Sequence, residues 1–223
     1  MSKSKKESSK ETILPSFISI AAPYRTDYII EKSHFITSVC PCQTEEEAQA
    51  FINCINKEFW DASHNCTAYA LGPRQEQQRS SDNGEPSGTA GKPILEVLKK
   101  KEITNTAIVV TRYFGGIKLG AGGLIRAYSH AATLGLDGAQ KELHAPRKIV
   151  MLTIDYSLYN PLEQYLQQKD IYFTKAFEAA VTLTLQIPPD QLENIHQEII
   201  NLTNNHLDWQ EGNTLFATIP LNA

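Results

Sequence analysis

The chain has 223 residues, of which 41% are apolar and 21% charged, with a formal net charge of −4. That balance supports a packed core and excludes global disorder, and the acidic sign excludes a protein that coats nucleic acid by bulk charge. Apolar runs fall far short of the ~20 residues of a spanning helix, which excludes a membrane span and leads us to expect a cytoplasmic protein.

Met1 to Thr12 is polar and carries four Lys against two Glu. With no apolar stretch behind it, it reads as a flexible basic tail, not a signal peptide. Residues 35–40 read as a strand. Thr44 opens a helix as the first member of a capping box, with Glu47 three positions on. Its apolar positions Ala48, Phe51, Ile52, Ile55 and Phe59 follow the helical period, and Cys54 is expected on the same apolar face. Cys66–Leu71 reads as a short strand and 74–91 as a polar loop. Pro93 suits the first turn of a second helix, and Ala107–Val110 a central strand. The stretch 112–123 reads as a glycine-rich loop. A third helix follows, with Leu124, Ala127, Tyr128, Ala131 and Ala132 on one face and Arg126, Ser129, His130 and Thr133 on the other.

Pro146 marks an expected domain boundary, with a cleavable joint near His144 to Lys148. Residues 13–145 then form one domain and 147–223 another, the latter carrying four Lys/Arg against nine Asp/Glu from 146 on. Val150, Leu152, Ile154 and Tyr156 alternate inward, and a helix is expected to start at Asn160–Pro161. A hairpin at 171–187, a helix carrying Leu192, Ile195, Ile199 and Leu202, and a last strand at 214–219 complete a βαββαβ order. That order is the ferredoxin-like arrangement.

Two segments could carry chemistry. In the second, Thr111–Tyr128, five of the chain's 12 glycines fall between 115 and 123. Gly115, Gly116, Gly120, Gly122 and Gly123 free the backbone for close approach of a ligand just where a helix begins and its N–H groups lack partners. Arg112, Lys118 and Arg126 add charge, so the loop suits phosphate, although the same glycines also suit tight packing. The letters match neither a P-loop nor a dinucleotide fingerprint, so no nucleotide cofactor is expected. The first segment, Ser81–Pro93, offers Asp82, Glu85, Ser87, Thr89 and Lys92. Two carboxylates three apart could bind Mg²⁺ or act as acid and base, but turn and cap chemistry accounts for each residue. His64 and Cys66 could pair as base and nucleophile or as two metal ligands, but a structural His and a buried Cys account for them better. No zinc spacing appears among Cys40, Cys42, Cys54 and Cys66, so reduced thiols and no metal are expected.

At Asp82–Pro93, Thr111–Tyr128 and Ser63–Tyr69 the chain resembles the IMPACT/YigZ family, over about 40 residues, and 147–219 resembles its small C-terminal domain. The resemblance implies an α+β protein of two domains. The first would be a ribosomal-protein-like α/β sandwich with a left-handed βαβ crossover. The second would be similar to the last domain of elongation factor G. Eukaryotic relatives regulate translation through a ribosome-associated activator of the general-control kinase. The resemblance therefore implies a non-enzymatic module linked to translation, with RNA or a ribosome-associated protein as partner. Two alternatives stay open: an enzyme acting on a phosphorylated small molecule, and a structural interaction domain.

Overall fold

A computed structural model describes residues 15–221. The basic tail expected at 1–12 lies outside the described residues. The described chain divides into two compact units, one built on Ser16–His144 and the other on Ala145–Ala217.

The first unit holds a sheet in the order β2-β3-β6-β4-β5, every pairing antiparallel. The strands are β2 (Tyr24–Ile30), β3 (Ser33–Pro41), β4 (His64–Leu71), β5 (Gln77–Ser81) and β6 (Thr106–Tyr113). Strands β3 and β4 both pair with β6, so they run parallel on either side of it and are joined through α1 (Glu45–Glu58). Helix α1 starts as expected: the Glu47 amide donates to Thr44 Oγ1 at 3.2 Å, and the Glu47 carboxylate accepts from the Gln43 amide. Ala48, Ile52 and Ile55 pack with Tyr69, Leu71 and Val109 on one face of the sheet. Cys54 is exposed, not on the apolar face. The other face packs against α2 (Gly91–Lys100) and α3 (Gly120–Gly138), where Ile94, Leu98, Leu124, Tyr128 and Leu136 meet Phe35, Ile108 and Val110. Both faces of β4 and β6 are thus covered, which is why these strands read as nearly continuous apolar runs.

A short strand, β1 (Phe17–Ile20), pairs with the first residues of β7 (Lys141–Ile154). The joint expected near His144 to Lys148 is part of this continuous strand, and Ala145 and Pro146 are buried. Strand β5 occupies part of the stretch 74–91 expected to be loop. Its five residues are all exposed and polar, so no alternation marks it.

The second unit is the expected α+β βαββαβ: β7, α4 (Tyr156–Gln168), β8 (Tyr172–Phe177), β9 (Val181–Ile187), α5 (Leu192–Thr203) and β10 (Asp208–Leu221). The strand order β10-β7-β9-β8 is that of a ferredoxin-like sheet. Val150, Leu152, Ile154, Leu183 and Leu185 meet Leu162, Leu166, Ile195 and Ile199 in one core. Tyr156 departs from the expected alternation: the strand ends at Ile154, and Tyr156 begins α4, exposed. The helix thus starts one turn before Asn160–Pro161, and Pro161 lies inside it.

Candidate functional site

The glycine loop and the start of α3 face the tip of the β2–β3 hairpin. Ile30 pairs with Ser33, so Glu31 and Lys32 form a two-residue turn. Both have positive φ, +45° and +61°, as a type I′ turn demands, although that turn favours Asn-Gly. Each non-glycine residue held left-handed costs roughly 1–2 kcal/mol. The turn is clamped against the loop: a Cβ on Gly115 would lie 2.0 Å from the carbonyl of Lys32. Lower down, the Tyr28 hydroxyl donates to the Ala127 carbonyl at 2.8 Å and ties the hairpin to α3. Burial pushes the Tyr28 hydroxyl up to about 12, against the opposing pull of Arg112.

Between these elements lies an open cavity of about 510 Å³. Tyr28, Ile30 and Glu31 form the hairpin wall. Ile117, Lys118 and Leu119 form the loop wall, and Gly123, Arg126, Ala127 and His130 the helix wall. Lys118, Arg126 and His130 are exposed, and no ion pair engages any of the three among the described residues. Leu119, at the N-cap of α3, supplies no side-chain cap. The first amides of the helix therefore add donors and a positive dipole end to two cationic side chains. One carboxylate, Glu31, stands on the opposite wall.

The glycines divide by role. Gly116 and Gly120 have φ of +85° and +69° with open space around them, so conformation requires them. Gly115 is required by close packing, and at Gly123 a Cβ would come 2.9 Å from Leu119 Cβ. Gly122 is helical, and a Cβ there would meet only the end of Arg126 at 3.5 Å.

Arg112 was expected in this anion site, and the structure places it elsewhere. It is 5% exposed and donates to Glu85 Oε1 at 2.7 Å and to Ser33 Oγ at 3.2 Å. Its guanidinium lies over the rings of Phe35 and Phe114, 5.5 and 5.4 Å from their centroids. Ser33 Oγ also accepts from the Gly115 amide. Arg112 therefore braces the hairpin and the glycine loop from behind the cavity. A guanidinium paired with a buried carboxylate is not available to a phosphate. Its Nε is buried without a partner.

The first segment closes on itself. Burial pushes the Asp82 carboxyl up, but the amides of Gly88, Gly91 and Ala90, all donating to it, outweigh that and hold it below its usual range. Asp82 thereby supplies the cap that Ala90, at the N-cap of α2, lacks. Glu85 accepts from Arg112 and from the Tyr128 hydroxyl, at 2.7 and 2.8 Å. Both carboxylates are thus engaged in holding the segment together. The Thr89 hydroxyl donates to the Pro86 carbonyl, while Ser87 and Lys92 are exposed. His64 shares a hydrogen bond with the Asn83 carbonyl through Nδ1, and its Nε2 is 3.9 Å from Glu85. The Cys66 thiol donates to the Asp82 carbonyl, and burial pushes it up to about 12, as for a structural thiol. All four cysteines are free, and no cluster of three metal-ligating side chains occurs among the described residues. No described helix is long and apolar enough to cross a membrane.

Sequence reasoning missed the hairpin wall. Tyr28, Ile30 and Glu31 lie about 90 residues before the glycine loop, and Glu-Lys carries no turn signal.

The Impact N-terminal domain family matches residues 31–136, and a domain of unknown function matches residues 152–206. The chain is 37% identical over 215 residues to the IMPACT family member YvyE of Bacillus subtilis, covering 94% of this chain and 97% of that protein. It is 32% identical over 197 residues to the IMPACT family member YigZ of Escherichia coli, covering 87% and 97%. Protein IMPACT of Homo sapiens is 32% identical over 92 residues, 40% of this chain and 28% of that protein. The crystal structure of a hypothetical protein, 32% identical, covers 87% of this chain and 96% of its own, with a TM-score of 0.58. By its two matched domains and its near full-length relatives, the chain belongs to the IMPACT family.

Proposed function

We propose that this chain is a non-enzymatic binding module linked to translation, which holds RNA, free or on the ribosome, by its phosphate groups at the cavity between the β2–β3 hairpin and α3. The observation that carries this reading is that Lys118 and Arg126 line one cavity at the uncapped start of α3, with no ion-pair partner among the described residues. Exposed Phe114 stands on the adjoining loop and offers a ring face for a base. The link to translation rests on the family resemblance, which extends to Protein IMPACT of Homo sapiens.

Two phosphate contacts make a weak, salt-sensitive site. Each contributes about −0.7 to the slope of log affinity against log salt for a single strand. Charge reversal at both Lys118 and Arg126 should abolish retention of single-stranded RNA and co-sedimentation with ribosomes, and flatten the slope by about 1.4. The fold should survive, since exposed substitutions alter stability by less than about 0.5 kcal/mol. Equal binding by the doubly reversed variant and the parent would end this reading and leave the glycines as packing residues.

A further inference from the structure

A groove for an internal stretch of RNA backbone would be long and uniformly cationic. This cavity is lined by ten residues, and its hairpin wall includes an acidic residue, Glu31, across from Lys118 on the loop wall and Arg126 on the helix wall. A carboxylate repels phosphate but accepts hydrogen bonds from vicinal hydroxyls. Its volume of about 510 Å³ lies within the roughly 300–1,000 Å³ of small-molecule sites. Ile30, Ile117 and Leu119 add an apolar surface between the polar groups.

The hairpin turn is a second observation. Glu31 and Lys32 both hold a left-handed backbone where Asn-Gly would relax the turn. The turn sets Glu31 on the hairpin wall of the cavity.

Resting on the phosphate-binding reading above, we propose that the cavity is a subsite for one ribonucleoside 5′-monophosphate. Lys118 and Arg126 take the phosphate dianion. The Glu31 carboxylate accepts from the ribose 2′- and 3′-hydroxyls, and Ile30 and Ile117 cover the base. The unit comes either as the phosphorylated 5′ end of an RNA or as a free mononucleotide. A terminal phosphate carries about one more negative charge than an internal diester, which is what two cations without an ion-pair partner among the described residues select.

The test uses the full chain, adenosine 5′-monophosphate, its 2′,3′-dideoxy analogue, and one RNA decamer with either a 5′-phosphate or a 5′-hydroxyl. The expected result is that 5′-phosphorylated RNA binds at least tenfold tighter than the 5′-hydroxyl form, and that the mononucleotide competes with it. Glu31→Gln should reduce the preference for the ribose over the dideoxy sugar at least fivefold, with little effect on phosphate dependence. The double variant Glu31→Asn/Lys32→Gly should raise the thermal midpoint and yet lose that sugar preference, an outcome that a damaged fold cannot produce. Mononucleotide binding without RNA binding sustains the subsite, assigns it to free nucleotide and removes the RNA reading. RNA retention that needs Lys118 and Arg126 but ignores the 5′-phosphate and the mononucleotide overturns the subsite and leaves the RNA reading standing. Absence of binding by every probe overturns both.

Discussion

Arg112→Ala is the perturbation that separates a structural arginine from a ligand-binding one. In the folded chain its side chain is 6% exposed and that of Glu85 3%. Removing the guanidinium leaves a buried carboxylate held by the Tyr128 hydroxyl at 2.8 Å, with His64 Nε2 at 3.9 Å. Breaking a buried ion pair from one side costs about 3–5 kcal/mol, because the orphaned charge is neither solvated nor paired. Loss of the bond to Ser33 adds about 1 kcal/mol. Against a typical total of about 5–15 kcal/mol, that is a large share of the stability of the unit. Native-state hydrogen exchange at the amides of β3, β4 and β6 reads this unit by itself. The opening free energy there should fall by about 4–6 kcal/mol. Adding Glu85→Gln to Arg112→Met should recover most of the loss, since the charge is gone and the amide oxygen still accepts from Tyr128. A change below about 1 kcal/mol, together with loss of RNA retention, would refute the reasoning and return Arg112 to the anion site.

Three further outcomes are expected. Asp82 is held below its usual pKa, so its contribution is fully present above the unfolded value near 3.9 and is lost as pH falls through the lower folded value. Asp82→Asn, which keeps one acceptor oxygen in place of two, should therefore cost about 1 kcal/mol at pH 7 in urea unfolding and little at the acid limit. Among the glycines, Gly115→Ala should fail to fold stably, since its Cβ would overlap the Lys32 backbone. By contrast Gly116→Ala should lose about 1–2 kcal/mol for its left-handed φ, and Gly122→Ala should gain up to about 1 kcal/mol of helix propensity, all read as thermal midpoints. We also propose that the two units open separately; exchange in graded urea should show β4 and β9 protecting at different free energies, and a single shared value would count against it.

What the sequence by itself determined were the elements whose causes are local. Thr44 and Glu47 cap α1 because a hydroxyl and a carboxylate three residues apart meet orphan amides of one turn. The small-residue stripe of Ala127, Ala131 and Ala132 packs as its period says, and Arg126 and His130 are on the face that period leaves open. The alternation of β9 and the order of the second unit were legible for the same reason. Strand β5 was not, because an exposed polar edge strand is specified by its neighbour, and the extra turn of α4 was masked by Pro161. Only the tertiary structure decided what the charged residues do. Arg112, Lys118 and Arg126 look alike along the chain, but Glu85, 27 residues upstream in sequence, reaches Arg112 and removes it from solvent. The cavity likewise exists only because β2 and β3 bring Glu31 and Ile30 against a loop some 85 residues away. A side chain's chemistry is written in its letter, but whether its charge is paired, buried or open is set by contacts distant in sequence, and those come into being only when the sheet is assembled.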